Sequence, residues 1–351
     1  MPISVKKQRL EWLDIAKGLG IIYVVYGHSY GPNNRYVFLF HLPLFMILSG
    51  FVYNEKDSFP VYLKKKLLNI YIPFAGWNIL IQGMRLLPLI ATDSFRALAR
   101  RRFTLLLETL LCVNKDGVYL GATWYLGALF LICIVYKLVD MIVPRVRFRQ
   151  YIILAVFICI GMFGYLNTLP LLQSRTLILS MFFAAGRFLK AEFPAVYEPS
   201  NLLAAVLMGA LFMAGAQFCN ANMSGNIYRN FGLWILVALI ASFATIWFSR
   251  WLSCRRSRFS LPFRKFLALC GNRSVDIMIW HLVFFYPVIL LQLALEGSPL
   301  SMVWEVELRY NTSGMWWAAY FASGLLLSLL WSRFLRTGPW GRFLRKVHLV
   351  R

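Results

Sequence analysis

Acidic side chains are scarce in this chain. Its 351 residues include 14 Asp and Glu against 37 Lys and Arg, and charged residues make up only 15% of the total. Soluble domains carry about 25% charged residues. This shortage of charge, together with 60% hydrophobic residues, argues against a water-soluble globule and favours a membrane protein.

Patterns typical of metal sites and disulfide frameworks are also missing. The six cysteines form no CxxC pair, and most of them lie in apolar runs, where a thiol acts as a small hydrophobic side chain. We therefore expect neither a bound metal nor a disulfide framework. No internal repeat is visible, so the inverted halves of many transporters are not indicated.

Apolar runs near the ~20 residues that a helix needs to cross a bilayer recur along the chain. The runs are continuous rather than alternating, which disfavours a barrel and predicts an all-α, polytopic transmembrane helical bundle. We expect one integral membrane domain over residues 1–351. The ten predicted spans cover approximately residues 10–29, 36–53, 67–88, 119–141, 150–167, 174–190, 200–219, 228–250, 271–295 and 315–335.

Lys and Arg are concentrated in alternate segments between these runs. Because basic residues collect in cytoplasmic loops, the pattern predicts that both termini lie in the cytoplasm. The same loops explain the net charge of +23, so nucleic-acid binding is not expected. Residues 89–118 fit less well, since basic residues there fall on the nominal outer side; we expect an amphipathic or re-entrant segment at the outer surface.

Two histidines mark one end of the first predicted hairpin, residues 10–53. His28 ends the first run and His41 lies early in the second. An ionisable group in lipid is costly and is a functional candidate by default. An imidazole suits general-base catalysis near neutral pH, whereas the alternative for His28 is a solvated span end. For His41 the alternatives are orienting His28, contacting substrate or capping its helix.

Lys17 and Asp14 lie deeper in the same first run. Lys17 is about 20° from His28 around a helix and ~16 Å from it along the axis. Asp14 can pair with Lys17 at i, i+3, as an interfacial ion pair near the cytoplasm or as part of the site. A straight helix puts Asp14 ~21 Å from His28, so Asp14 can orient that imidazole only if the helix breaks.

Polar residues in the third span share one stripe: Asn78, Gln82 and Arg85. An arginine inside a span should face protein or water, which makes it a candidate for binding an anionic or sugar group. The alternative is that Arg85 extends to the outer headgroups.

Three polar residues in the ninth span also share a face: Ser274, His281 and Gln292. A mid-membrane histidine is either functional or a buried hydrogen-bond anchor. Before the third span, Lys64, Lys65 and Lys66 are either topology anchors or ligands for the phosphates of a cytoplasmic donor.

Six segments occur in an order that resembles one protein family. They are RLEWLDIAKGLGIIYVVYGHS, FHLPLFMILSGFVY, KKKLLNIYIPF, ATWYLGALF, FFAAGRFLK and GNRSVDIMIWH. Together they resemble the acyltransferase 3 family of integral membrane acyltransferases, and within it the branch of polysaccharide and fucose-acetylase-like O-acetyltransferases.

The resemblance implies ten helices and O-acylation, usually acetylation, of a sugar hydroxyl, with acetyl-CoA as the donor and no tightly bound cofactor. It also implies a basic residue that ten intervening residues separate from an essential first-span histidine, and Lys17 and His28 fill these positions. Many members carry paired arginines before the proline of the third span. Here the matching stretch has Lys65 and Lys66, followed by Asn69 and Ile70, so the second basic position is missing.

The sequence thus predicts a multi-pass O-acetyltransferase of a bacterial inner or cell membrane. Its substrates would be cytoplasmic acetyl-CoA and a hydroxyl of a cell-surface glycan, glycolipid or lipid-linked sugar; membrane lipids and a second copy of the chain are further candidate partners. The predicted catalytic residues are His28, Asp14 and His41. The residues predicted to bind acetyl-CoA are Lys17, Lys64, Lys65, Lys66 and Trp124. The residues predicted to bind the acceptor are Asn78, Gln82, Arg85, Ser274 and His281.

Two questions stay open at this stage. The group that stabilises negative charge on the thioester carbonyl can be Asn78, Gln82, Arg85 or Trp124. A transporter or flippase for a glycan or lipid-linked precursor is the alternative function, because it also explains a basic bundle with polar stripes. A structural or regulatory membrane protein is a third, although it would not explain the costly polar groups.

Overall fold

The structure is a computed structural model that describes residues 10–86, 95–111, 120–169, 173–223, 225–255, 257–304, 306 and 309–350. These residues form a bundle of helices with one short β-hairpin, which confirms the predicted helical class. The first helices are α1 (Glu11–His28), α2 (Arg35–Phe38), α3 (His41–Phe51), α4 (Phe59–Lys66), α5 (Ile72–Leu86), α6 (Phe95–Leu110), α7 (Trp124–Ile142), α8 (Arg149–Leu166) and α9 (Gln173–Glu192).

The second half of the bundle is more interrupted. Its elements are α10 (Leu202–Gly215), β1 (Asn220–Asn222), β2 (Ile227–Arg229), α11 (Phe231–Cys254), α12 (Ser260–Asn272), α13 (Ser274–Trp280), α14 (Tyr286–Leu295), α15 (Trp316–Ala322), α16 (Ser328–Phe334) and α17 (Gly338–Lys346). A π-helical turn joins α4 to α5 over Leu67–Tyr71, and a second joins α15 to α16 over Ser323–Leu327. Such turns often occur at functional sites.

Three helices in the described part are long and apolar enough to cross a membrane: α7, α8 and α11. Two bent helix pairs, Ser274–Trp280 with Val283–Leu295 and Trp316–Phe334 with Gly338–Lys346, raise the number to five if each pair is one span. Shorter apolar helices run over Arg35–Phe51 and Leu202–Gly215. Ten crossings and cytoplasmic termini stay predictions.

Helix α1 lies at the centre of the bundle, where it contacts α3, α11, α12 and α13. Close approach to α12 depends on two glycines. A side-chain carbon at Gly18 would overlap the carbonyl oxygen of Leu267, and one at Gly271 would overlap the carbonyl oxygen of Asp14. The two backbones therefore touch, as small residues allow in packed membrane helices.

A second crossing of this kind joins α3 to α9. A side-chain carbon at Gly50 would overlap the Phe183 carbonyl oxygen, and one at Gly186 would overlap that of Ile47. These two crossings fix α1 and α3, which carry His28 and His41, against the rest of the bundle.

The predicted ninth span is not one straight helix. Helix α13 ends at Trp280, and the following helix is bent from it by 60°. Pro287, at the start of α14, has no N–H for a hydrogen bond to the preceding turn, which favours the break. The common face expected for Ser274 and His281 therefore does not continue along a single helix to Gln292.

Asp276 joins two helices. Its carboxylate lies 2.5 Å from Arg336 and accepts a 2.5 Å hydrogen bond from Ser332. Asp276 thus ties α13 to α16 and the turn after it.

The β-hairpin lies between α10 and α11. Its two strands pair antiparallel, with Ala221 opposite Tyr228. The ring of Tyr228 packs 5.3 Å from Phe231 and 4.9 Å from Trp234, which anchors the hairpin on α11.

Residues 89–118 are only partly described. Helix α6 exposes Phe103 and Leu107. At the C-terminal end of α6, the Leu110 carbonyl accepts a 2.9 Å hydrogen bond from the Tyr71 hydroxyl. The Tyr71 ring lies 4.9 Å from Phe130 in α7. Residues 87–94 and 112–119 lie outside the described residues, and with them the two ends of the segment predicted to be amphipathic or re-entrant.

Candidate active site

A cavity of about 530 Å³ lies at the C-terminal end of α1; we call it the His28 cavity. Its volume is in the range of small-molecule sites. Its lining includes His28, His41, Trp124 and Arg309, and the strand β1 with Met223 closes one side. The two histidines of the first hairpin thus share one cavity.

His28 makes its main described contact with His281. The Nδ1 atom of His28 lies 2.8 Å from Nε2 of His281. The ring planes differ by 4° and the ring centroids are 5.0 Å apart. Because the facing nitrogens are much closer than the centroids, the rings meet edge to edge in nearly one plane, which suits an N–H···N hydrogen bond.

The backbone determines which nitrogen carries the proton in this pair. His281 is fully buried, and its Nδ1 lies 2.8 Å from the carbonyl oxygen of Ile277. Because a carbonyl oxygen can only accept a hydrogen bond, this Nδ1 must carry the proton and donate it. In the neutral ring, Nε2 of His281 is then an acceptor, and Nδ1–H of His28 donates to it. The lone pair with which His28 can take a proton is therefore on its Nε2.

His41 is held in another way. Its Nδ1–H donates to the carbonyl oxygen of Val37 at 2.8 Å. The Phe38 ring lies 5.5 Å from the His41 ring and 6.1 Å from the His28 ring. His41 therefore lines the cavity across Phe38 from His28, and the partner that orients His28 is His281.

Arg309 places a positive charge at the same end of α1. Its guanidinium donates to the His28 carbonyl oxygen and stacks 3.6 Å from the centre of the Tyr30 ring. Burial lowers the pKa of Arg309, but an arginine starts so far above neutrality that it stays charged.

A second cavity, of about 450 Å³, lies nearer the N-terminal half of α1; we call it the Lys17 cavity. Its lining includes Lys17, Lys66 and Arg336, with Asp14 and Asp276. Ser274 lines this cavity as well.

Two residues, Tyr125 and Met278, line both cavities. Tyr125 is in the first turn of α7 and Met278 is in α13. These two residues therefore lie between the cavity that His28 and His41 line and the cavity that Lys17 and Lys66 line.

The hydroxyl of Tyr125 is buried and has no hydrogen-bond partner among the described residues. Ser49 lies near it, but the two do not meet at hydrogen-bonding geometry. Buried hydroxyls are usually paired, so an unpaired donor between two cavities is available to a ligand.

The polar stripe of α5 has a different position from the one we expected. Fully buried Asn78 donates to the carbonyl oxygen of Phe74 at 2.8 Å and to Oγ1 of Thr123 at 3.2 Å. Asn78 therefore supports the turn in front of Trp124 and lines neither cavity. Gln82 is also buried and outside both linings, while the side chain of Arg85 lies outside the described residues.

The predicted donor-binding residues divide between the two cavities. Trp124 lines the His28 cavity, whereas Lys66 lines the Lys17 cavity. Lys65 is exposed and binds Asp57 at 2.9 Å, and this hydrogen bond holds the pKa of the Asp57 carboxyl below its usual value. Lys64 is exposed and lines neither cavity.

Asp14 lies far from His28, the residue that we predicted it to assist in catalysis. Helix α1 is unbroken from Glu11 to His28, so Asp14 stays ~21 Å from His28 along the helix. It lines the Lys17 cavity instead and does not orient the imidazole.

The comparisons with known proteins identify the family. A family model described as an acyltransferase domain, acyltransferase 3, matches residues 10–333. The chain belongs to the acyltransferase 3 family. No curated protein and no solved structure matches the chain significantly. The resemblance drawn from the ordered motifs is confirmed at the level of this family, and the chain is a membrane acyltransferase.

Within this acyltransferase, three features were missed by the sequence reasoning. The pairing of His28 with His281 joins residues 253 positions apart, and Tyr125 and Met278 carry no unusual local pattern. Arg309 offered one signal, an arginine in an otherwise acidic loop, but the charge balance alone does not give it a role.

Proposed function

We propose that this acyltransferase moves an acetyl group from cytoplasmic acetyl-CoA to a hydroxyl of a cell-envelope glycan, glycolipid or lipid-linked sugar. The observation that carries the proposal is the His28–His281 pair: His28 lines a cavity that adjoins a second, basic cavity, and His281 holds the His28 ring from behind the lining. A base beside one cavity and cations beside the other suit a reaction between a hydroxyl and a phosphate-bearing donor.

The proposed base is Nε2 of His28. It removes the proton of the acceptor hydroxyl as that oxygen bonds to the thioester carbonyl carbon, a contribution of about 10²–10⁴-fold. The imidazolium then donates from Nδ1 to Nε2 of His281, which is itself held by the Ile277 carbonyl. His281 acts as a positioning residue, comparable in role to the group that orients the histidine of a catalytic triad.

The proposed donor site is the Lys17 cavity. Lys17, Lys66 and Arg336 are cations that can contact the phosphates of CoA. The acyl arm would then reach between Tyr125 and Met278 into the His28 cavity. When the carbon–sulfur bond breaks, the departing CoA thiolate takes up the proton that His28 received.

The proposed oxyanion donor is Tyr125. Its buried hydroxyl lacks a described partner, and the residue lines both of the cavities between which the thioester would pass. A preorganised donor of this kind stabilises the negative charge that develops on the carbonyl oxygen. Among the candidates named from sequence, Asn78 is engaged elsewhere and Trp124 lines the acceptor side.

The test uses purified protein in lipid nanodiscs with radiolabelled acetyl-CoA and a panel of envelope glycans. We expect label on a glycan with the wild type and a loss of at least 100-fold with His28→Ala. Acetyl-CoA binding, measured separately, should survive in the variant because His28 is outside the donor cavity. A wild type that neither binds acetyl-CoA nor transfers label contradicts the proposal.

A further inference from the structure

Arg175, the third residue of α9, is a buried cation without a described counter-ion. Its exposed fraction is 2%, and its Nε and Nη1 atoms have no hydrogen-bond partner among the described residues. The guanidinium carbon lies 3.6 Å from the centre of the Trp124 ring. A cation–π contact of this kind offsets only part of the cost of burying a charge, so the position favours an anion beside it.

A second unpaired donor lies next to Arg175. The hydroxyl of Tyr228, in β2, is buried and has no described partner, and it is close enough to Arg175 for the two groups to interact electrostatically. The buried, unpaired atoms at this place are thus two guanidinium nitrogens and a hydroxyl. All of them can donate hydrogen bonds, and a carboxylate or phosphate is the ligand that accepts several at once.

This donor cluster adjoins the His28 cavity. Trp124 lines the cavity and stacks on Arg175. Ala221, which also lines the cavity, pairs across the hairpin with Tyr228. Trp124 and the β-hairpin are therefore common neighbours of the cluster and of the cavity proposed to hold the acceptor hydroxyl.

The charge of the His28 cavity also favours an anionic ligand. Arg35 and Arg309 line it, while the described residues of its lining include no Asp or Glu. A cleft lined by charge of one sign concentrates ligands of the opposite sign. A neutral glycan would gain nothing from this arrangement.

We propose that Arg175 and Tyr228 form a subsite for a negatively charged oxyacid group of the acceptor, a carboxylate or a phosphate. The acceptor is then an acidic glycan or a lipid-linked sugar phosphate. This inference rests on the proposed function and names the substrate class of the same site.

The experiment compares acceptors that differ only in charge. Purified protein in nanodiscs of zwitterionic lipid receives labelled acetyl-CoA and one member of each pair: a uronic-acid oligosaccharide or its carboxyl-reduced form, and a lipid-linked sugar phosphate or the dephosphorylated glycolipid. We expect at least one charged acceptor to show a KM at least tenfold below that of its neutral twin. Which pair responds distinguishes a carboxylate from a phosphate.

The variants assign the effect to the subsite. We expect Arg175→Gln to raise the KM for the charged acceptor at least tenfold and to leave the neutral twin unchanged, with partial recovery in Arg175→Lys. Tyr228→Phe keeps the ring that packs on α11 and should raise the same KM by a smaller factor. Arg229→Gln, an exposed arginine one residue further along the hairpin, is the matched control and should change nothing.

Two results overturn the inference while leaving the proposed function intact: equal KM values for charged and neutral twins, or a charge preference that Arg175→Gln does not alter. A further result would also overturn the inference: an anionic lipid added to the nanodiscs competes, while the acceptors show no charge preference. The subsite would then belong to a lipid headgroup. Failure of the proposed function is recognised separately, since the protein would then neither bind acetyl-CoA nor acetylate either twin.

Discussion

Met278 and His281 are three residues apart at the end of α13. Met278 lies between the two cavities, and His281 holds the ring of His28. Residues at this spacing lie on the same side of a helix. The side chain proposed to border the passage of the acyl arm and the side chain proposed to orient the base are therefore both fixed by the position of α13.

The role of His281 can be tested by removing its acceptor nitrogen. We expect His281→Phe to lower kcat, because the Nδ1–H of His28 loses its partner. The decrease should be smaller than the decrease of about 10²–10⁴-fold expected for His28→Ala. His281→Gln should recover part of the loss, since its amide oxygen can accept the same hydrogen bond. The KM for acetyl-CoA should not change in either variant. Initial rates over a range of acetyl-CoA concentrations separate the two constants.

The control is His348→Asn, at an exposed position where the left-handed backbone conformation suits asparagine. It should retain full activity. If His281→Phe raises KM and leaves kcat intact, His281 contributes to binding and does not position the base.

The hydroxyl of Tyr125 can be removed without altering the ring. We expect Tyr125→Phe to reduce kcat by a factor on the order of 10²–10³ with an unchanged KM for acetyl-CoA, because the lost hydrogen bond is made chiefly to the transition state. Tyr136→Phe is the matched control, since Tyr136 is buried in the same helix and lines neither cavity. Equal effects of the two substitutions would show that Tyr125 has no special role.

The neighbouring lysines before α5 should behave differently. Because Lys66 lines the Lys17 cavity, we expect Lys66→Ala to raise the KM for acetyl-CoA by roughly 10- to 100-fold, the range for a hydrogen bond to a charged group. Lys65→Ala should leave it unchanged, because Lys65 is exposed and pairs with Asp57. Salt should weaken the wild-type affinity more than that of Lys66→Ala. An equal response of both lysines would remove Lys66 from the donor site.

The glycine crossing between α1 and α12 predicts a stability effect. We expect Gly18→Ala to cost about 1–3 kcal/mol, because the added methyl collides with the backbone of Leu267, which cannot turn aside. Gly209→Ala, in α10, meets nothing within 4 Å and should leave the melting temperature unchanged or slightly higher. Thermal unfolding of both variants in the same detergent gives the comparison, and a stable Gly18→Ala would contradict the close packing.

The sequence was sufficient for the helical class, the family and the position of His28 and His41 at one end of the first hairpin. These two histidines flank a short turn, so their proximity is a local property of one hairpin. Lys17 was also placed correctly at a different depth from His28, because α1 is a regular helix over its whole length.

The partner of His28 could not be found in this way. The contact with His281 joins the first helix to the broken stretch after α13, and helical periodicity says nothing about which distant segments pack together. The sequence also could not show which of Lys64, Lys65 and Lys66 lines the Lys17 cavity. Successive helical residues point about 100° apart, and the π-helical turn over Leu67–Tyr71 shifts the helical phase of α5 relative to α4.

The two glycine crossings limit how the passage between the cavities can open. Where backbone meets backbone, neither helix of the pair can slide or roll inward without collision, since packed interiors hold no spare volume. Rocking of one half of the bundle against the other, as in transporters, would have to break these contacts. Rotation of the Tyr125 and Met278 side chains does not break them. If the acyl arm passes between the two cavities as proposed, it can do so while these helices stay in place.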